Sequence, residues 1–480
     1  MGTRTNTASG KSFPVVNPAT LEVIDHVPDM DVTDVAGAID RAHEALAGWR
    51  AAPADDRADI LKLAARLIER RADELGGIIT LESGKPLAEG RGEALVAAKF
   101  LEWSAEEGRR AYGRTIPSPH PDRRYLTIRQ PVGVVAALTP WNFPASMVTR
   151  KAGAALAAGC TVVLRPAEST PLTCLALARA FADAGLPAHV LEVVTSLQAP
   201  PVGDLVTSHD KIAKITFTGS TRVGTMLAGL AAARNKRLSL ELGGHAPFIV
   251  FPDTDPDEIA ANVIASRFRN AGQSCISTNR LIVHRDVADA VAERLSAAVG
   301  GLKVGDGMAP GTQIGPLINE TALRRIREFQ EDAVGRGARL IAGGDLTSVT
   351  GLPGAFYAPT VLTEVPRESV MLVEEVFGPL LSISVFSQLA EAVELANATP
   401  YGLAAYVFTQ DLTTAWRVAE ALEFGVIGIN DPAPSSPGLP FGGVKASGVG
   451  RENGPEGVDA FLETKAISMG LRPAGTLGIG

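Results

Sequence analysis

The sequence predicts an α/β protein of two parallel-sheet domains, and three observations lead there. From about residue 132 onward, short β-rich runs alternate with helical patterns, as βαβ units and a parallel sheet require. A second series of the same kind follows the glycine pair Gly243-Gly244. A length of 480 residues, at about 150 per domain, leaves room for about three domains.

Taken in order, residues 31–76 repeat Ala, Leu and Ile at three- and four-residue spacing with Arg, Asp and Glu between them, so the opening is largely helical. Residues 132–139, 161–164 and 214–217 are strand-like, and 171–184 carry a helical period. The second series runs through 247–251, 281–284, 380–386 and 404–408. The domain break belongs at Gly243-Gly244, where backbone without side chains can bend or approach a ligand closely. Residues 431–440, rich in Pro and Ser, are few enough to form a shaped loop.

Composition excludes several classes. Hydrophobic residues at 46% and charged residues at 20% are those of a folded globular chain, not a disordered one. The 45 Lys+Arg against 53 Asp+Glu leave a net charge of −8 with no basic block, so nucleic acid is not an expected partner. The longest uncharged run of small and apolar residues, 152–164, has 13 residues where a membrane helix needs about 20. The first residues lack the apolar core of a secretory signal, which makes the cytoplasm the expected location. Three scattered cysteines offer no disulfide framework, and seven histidines without ligand spacing offer no metal site.

Cys275 lies among small and polar residues in Asn270-Ala-Gly-Gln-Ser-Cys275, whereas Cys160 and Cys174 sit in Ala/Leu-rich surroundings that suit inert thiols. If one thiol reacts it is Cys275; a structural turn cysteine fits the local sequence equally well. Glu241 ends a β-like run just before Gly243-Gly244, a placement that can aim a carboxylate into a cleft or simply end a strand with a salt bridge. Asn142 is fixed between bulky neighbours in Pro140-Trp-Asn-Phe-Pro144, as an amide donor to an oxyanion or as a turn former. Phe217-Thr-Gly-Ser-Thr-Arg-Val-Gly224 reads as a βα turn that can present N–H groups to a phosphate or merely cap a helix. No G-x-G-x-x-G occurs, so dinucleotide binding, if present, is not of the usual fingerprint type.

In this order, Pro140-Trp-Asn-Phe-Pro144, Phe217-Thr-Gly-Ser-Thr221, Glu241-Leu-Gly-Gly244, Gln273-Ser-Cys275, Glu374-Glu-Val-Phe-Gly-Pro379 and Pro440-Phe-Gly-Gly-Val-Lys-Ala-Ser-Gly448 resemble the aldehyde dehydrogenase superfamily over nearly the whole chain. The resemblance implies two Rossmann-like parallel-sheet domains and a small β oligomerisation element. It places a dinucleotide-binding domain at 1–113 and 131–243, a catalytic domain at 244–446, and an oligomerisation or bridging element at 114–130 and 447–480, in a homodimer or homotetramer. Cys275 is then the nucleophile that forms a thiohemiacetal and a thioester, Asn142 and the Cys275 N–H the oxyanion hole, Glu241 the base for hydrolysis, and Lys151 an electrostatic support.

For the cofactor, the resemblance assigns Arg165, Pro166, Ala167 and Glu168 to the adenosine end, Gly219 and Ser220 to the pyrophosphate, Trp141 and Leu242 to the nicotinamide half, and Glu375 and Phe377 to its ribose and ring. Glu168 would repel a 2′-phosphate, which favours NAD; Arg165, where the family usually has Lys, leaves NADP possible. Within the superfamily the chain is most similar to succinate-semialdehyde dehydrogenases, whose substrate carboxylate is held by residues matching Arg150, Arg269 and Ser435. His245 stands where that subfamily commonly has Asn, and Ser277 where some members carry a second cysteine. A dehydrogenase of neutral aldehydes is the runner-up; an inactive scaffold keeping the fold and a cofactor-free cysteine esterase stand outside the class.

Overall fold

The computed structural model describes residues 10–344, 349 and 351–471. Its first sheet sets five parallel strands side by side in the order Arg237–Glu241, Ile212–Thr218, Val134–Leu138, Thr161–Arg165, Leu191–Val193. Winding starts at Val134–Leu138, proceeds outward to one side, then resumes on the other side at Ile212–Thr218. A crevice therefore opens at the carboxyl ends of these two neighbours, where the connections diverge.

Both faces of this sheet are covered, which is why its central strand is apolar without alternation. Val134, Ala136 and Leu138 pack with Val35, Ala38 and Ile39 of helix Val32–Ala51, while Val135 and Ala137 pack with Leu61 and Ile68 of helix Ala54–Arg70 and Leu101 of helix Leu87–Gly108. Asp31 starts the first of these helices with a capping box, accepting from the Thr33 and Asp34 N–H groups.

The second sheet has seven strands, in the order Arg339–Ala342, Thr360–Thr363, Leu380–Phe386, Thr278–His284, Ala246–Val250, Ala404–Phe408, Val426–Ile429, with only the first antiparallel to its neighbour. Strand Ala246–Val250 is fully buried, and Phe248 stacks on Phe408 with ring centroids 4.4 Å apart. The chain leaves the carboxyl edge of the first sheet at Glu241 and enters the amino edge of the second at Ala246. Cys275 lies three residues before strand Thr278–His284, on that same amino edge. The two edges face each other, and the residues singled out from sequence lie between them.

Two strand pairings were not legible in the sequence, the N-terminal hairpin and the pairing of Gly448–Val449. Strands Ser12–Val16 and Val23–Pro28 form an antiparallel hairpin ahead of the first helix. The small β element expected from the resemblance is present: strand Arg123–Pro131 lies between Thr115–Ile116 and Leu462–Gly470 in a three-stranded antiparallel sheet. Gly448–Val449, placed by the sequence reading with the C-terminal β element, pairs instead with Leu240 and Glu241, closing an edge that would leave their backbone groups unpaired beside the crevice.

Removing the Phe248 ring leaves a cavity between two sheet neighbours. Phe248→Ala is expected to destabilise the protein by about 3–5 kcal/mol, read as a lowered denaturation midpoint.

Candidate active site

Cys275 stands where two cavities meet. One, of about 280 Å³, is lined by Trp141, Asn142, Thr218, Gly219, Ser220, Leu242, Gly243, Glu375 and Phe377; the other, of about 400 Å³, by Phe100, Phe143, Arg150, Arg269, Tyr406, Ser435 and Phe441. Cys275 and Met147 line both. The first opens at the crevice of the first sheet; the second lies beyond the thiol.

The segment before Cys275 is bent by three consecutive left-handed residues, Asn270, Ala271 and Gly272, with φ of 51°, 53° and 73°. Left-handed backbone at Asn and Ala is costly and persists only where surroundings impose it. Here the fully buried Arg267 donates to the carbonyls of Val376 and Leu380 and to Ser277 Oγ, so it fastens the 376–380 segment to the loop that ends at Cys275. Ser277 Oγ donates in turn to the Arg267 carbonyl at 3.0 Å. Burial and the charge of Glu375 push the Cys275 thiol up to about 12, with Arg150 opposing.

Asn142 is 5% exposed, and its amide donates to the Gln273 carbonyl at 3.1 Å. One N–H is thus committed to fixing the side chain, and the second remains for another acceptor. Glu241, 2% exposed, has both carboxylate oxygens buried without a hydrogen-bond partner among the described residues. Burial raises its pKa well above the carboxylate range; Glu452 adds to the rise, and Lys151, Arg150 and Arg451 oppose it. Lys151 lies in a π-helical turn, Thr149–Gly153, and its ammonium pairs with Glu452 and reaches Thr216 Oγ1 at 3.3 Å. Glu452 returns from the C-terminal segment, and local sequence gave no sign of it.

In the second cavity, Arg150 is 7% exposed. Its guanidinium lies between the Phe100 and Phe441 rings, 4.3 and 4.6 Å from their centroids, and donates to Ser435 Oγ at 2.6 Å. Among the described residues no carboxylate pairs with it, and its Nε has no partner. Arg269 is exposed at the cavity edge, over the Phe143 ring at 5.0 Å. Arg150, Arg269 and Ser435 therefore share one cavity with the thiol.

Around the first cavity, Ser220 caps helix Thr221–Ala232 by accepting from the Val223 N–H, and Gly224 packs so closely that a Cβ there would lie 2.2 Å from Leu242. Trp141 and Phe377 meet edge to face at 5.6 Å. Glu375 accepts the Gly244 N–H at 2.9 Å, and burial lifts its carboxyl to about 7 against that hydrogen bond and Arg267. Pro166 and Ala167 are buried, so of their stretch only Glu168 offers an exposed side chain. Arg165 spends its guanidinium on the Ser196 carbonyl at 2.8 Å and on Glu168 at 3.3 Å. His245 is fully buried, with Nε2 3.1 Å from the Met371 carbonyl, and burial holds its pKa well below the usual imidazole value. No group of three or more potential metal ligands occurs among the described residues.

With this arrangement in view, the family can be decided: the model of the aldehyde dehydrogenase family matches residues 5–467. The chain belongs to that family. It is 48% identical over 463 residues to the NADP(+) succinate-semialdehyde dehydrogenase GabD of Escherichia coli, covering 96% of this chain and 95% of that one. It is 47% identical to the glutarate-semialdehyde dehydrogenase of Pseudomonas putida, at 96% and 95% coverage. The structure of succinate-semialdehyde dehydrogenase from Burkholderia pseudomallei superimposes with a TM-score of 0.95 at 46% identity, covering 97% of this chain and 96% of that one. The aldehyde dehydrogenase fold inferred from six short motifs is the fold of the chain.

Missed from sequence were Lys85, Glu89, Glu93, Phe100, Glu452 and Ser447. The trace they leave is charge in phase with an apolar face: Glu89, Glu93 and Phe100 share one stripe of helix Leu87–Gly108. Because thiolate is the nucleophile and the thiol is held near 12, alkylation of Cys275 by iodoacetamide in the cofactor-free enzyme should accelerate about tenfold per pH unit from 7 to 9.5. A plateau below pH 9 would contradict this.

Proposed function

We propose that this aldehyde dehydrogenase oxidises a carboxylated aldehyde, such as succinate semialdehyde, to the acid at Cys275, with NAD preferred and NADP admitted as a weaker cofactor. The observation that carries the substrate class is Arg150. A buried guanidinium without a carboxylate is expensive to desolvate, and burial accordingly lowers its pKa. Its flat face is held by two aromatic rings and one edge by Ser435, so it is preset for an incoming carboxylate. Arg269 at the cavity edge supplies a second cation.

The first cavity fits a nicotinamide dinucleotide. It lies at the divergence of the first sheet, beside a helix start capped by Ser220, with the exposed acceptor Glu168 at the end of the neighbouring strand. In this reading Gly219 and Ser220 face the pyrophosphate, Trp141, Leu242, Glu375 and Phe377 the nicotinamide half, and Arg165, Pro166, Ala167 and Glu168 the adenosine ribose. A bound nicotinamide dinucleotide supplies the hydride acceptor of the reaction.

The chain's own groups do the rest. The Cys275 sulfur adds to the aldehyde carbon, losing its proton, and the former carbonyl oxygen is held by the free amide N–H of Asn142 and the Cys275 N–H. Once that carbon is oxidised to the thioester, Glu241 takes a proton from water, whose oxygen replaces sulfur and regenerates the thiol. Lys151, paired with Glu452, moderates the charge on Glu241.

Residues 1–113 and 131–243 form the dinucleotide-binding domain and 244–446 the catalytic domain. The three-stranded sheet of 114–130 and the C-terminal segment joins copies into a homodimer or homotetramer, a role supported by the free outer edge of strand Leu462–Gly470 and its mostly exposed side chains. Unpaired cysteines at 160, 174 and 275 suit the reducing cytoplasm. Among the described residues no helix is long and apolar enough to cross a membrane.

Arg150→Met should lower kcat/KM on succinate semialdehyde by about 30- to 1000-fold, a loss of roughly 2–4 kcal/mol, and leave butanal oxidation unchanged. Equal losses on both, or none, would remove the carboxylate clamp. Glu241→Gln should accumulate acyl-enzyme and lower turnover by about 10²- to 10⁴-fold. Because the Glu241 pKa is raised, its base form grows as pH rises past the ordinary carboxylate range, so wild-type turnover should climb with pH there and the variant should lose that limb.

A further inference from the structure

Lys85 and Glu93 form an ion pair at 2.5 Å in which both side chains are fully buried. Such a pair is costly to desolvate and is often no more stabilising than apolar side chains of the same volume, so its retention calls for another reason. Its contacts supply one. The Lys85 ammonium also donates to the backbone carbonyl of Asn142 at 2.7 Å and lies 4.3 Å from the centroid of the Phe143 ring. Glu93 presents its other oxygen to the N–H groups of Ala145 and Ser146, at 2.8 and 3.2 Å, at the start of helix Pro144–Val148, whose own preceding residue, Phe143, offers no side-chain cap. One cation and one anion thus grip residues 142–146 from both ends.

The grip extends to the cysteine loop. Glu89, one turn before Glu93, accepts the Asn270 N–H at 2.8 Å, and the Asn270 amide donates to the carbonyls of Asn142 and Gln273 at 3.0 and 3.2 Å. The Asn142 side chain donates to that same Gln273 carbonyl. The position of the Asn142 amide relative to Cys275 therefore depends on a carbonyl that Lys85 holds, and on a left-handed loop that Glu89 and Asn270 hold.

We propose that Lys85 and Glu93 are positioning residues for the oxyanion donor: by fixing the Asn142 carbonyl and the following helix start, they aim the free Asn142 N–H at the oxygen of the substrate bound to Cys275. The inference rests on Asn142 being that donor, as argued under Proposed function. Neither residue touches substrate, and Lys85 acts only through the Asn142 peptide. Displacement of a catalytic donor by a fraction of an ångström weakens a hydrogen bond formed only as negative charge develops, and so lowers kcat rather than raising KM.

The test compares Lys85→Met, the double variant Lys85→Met/Glu93→Gln and Asn142→Ala in the full chain. The double variant removes both charges of the pair and keeps an acceptor for the Ala145 and Ser146 N–H groups, so it serves if the single variant folds poorly. Steady-state oxidation of succinate semialdehyde is read beside iodoacetamide alkylation of Cys275, which requires the same thiol but develops no oxyanion. The expected result is a kcat lowered about 10- to 100-fold in the Lys85 variants, with the aldehyde KM and the alkylation rate unchanged. A parallel fall in alkylation, or a kcat equal to wild type while Asn142→Ala is strongly impaired, would overturn the proposal alone. Full turnover in Asn142→Ala would overturn the donor reading on which it rests, and the proposal with it.

Discussion

The close passage of two backbone segments governs the rest of this structure. A Cβ at Gly244 would lie 2.2 Å from the Cys275 carbonyl oxygen, and one at Gly243 would lie 2.8 Å from a Glu375 carboxylate oxygen. The link between the two sheets can only run through the site because these positions have no side chain. Everything else is arranged to hold that contact. Ser447 donates to the Gly243 carbonyl at 2.7 Å and accepts from the Gly402 N–H at 2.9 Å, so the far end of the chain braces the link. Arg267 and the left-handed stretch at 270–272 do the same on the cysteine side.

Around this contact the protein keeps charges that it does not neutralise directly. Among the described residues Arg150 has aromatic faces and a hydroxyl but no carboxylate and Glu241 has no hydrogen-bond donor, and the thiol is raised by its surroundings. Each is unfavourable for folding alone, and such uncompensated groups cluster at functional sites. The charges that are neutralised, Lys85 with Glu93 and Lys151 with Glu452, lie behind the cavity walls and set backbone or field.

Helix Leu87–Gly108 shows how one element can serve several parts of such a site. Its inward stripe carries Glu89 to the cysteine loop, Glu93 to the start of the helix at 144, and Phe100 to the face of Arg150. At the opposite end of the chain, Phe441 and Glu452 complete the second cavity and the Lys151 pair. The second sheet alone would supply Cys275, but neither Glu241 nor the Phe100 ring against which Arg150 is stacked.

By itself the sequence determined the α/β class and the positions of most sheet strands, and it singled out Gly243-Gly244, Cys275, Glu241 and Asn142 as candidates, because period, glycine and motif order are local properties. It also determined the family, since six short motifs in a fixed order constrain one another even though each is weak alone. What only the tertiary structure decided are contacts between segments far apart in the chain: Lys85 on Asn142, Glu452 on Lys151, Phe100 and Phe441 on Arg150, and Gly448–Val449 on the edge of the first sheet. No spacing rule encodes these, because a buried charge or ring reveals its purpose only through the partner that folding brings within a few ångströms.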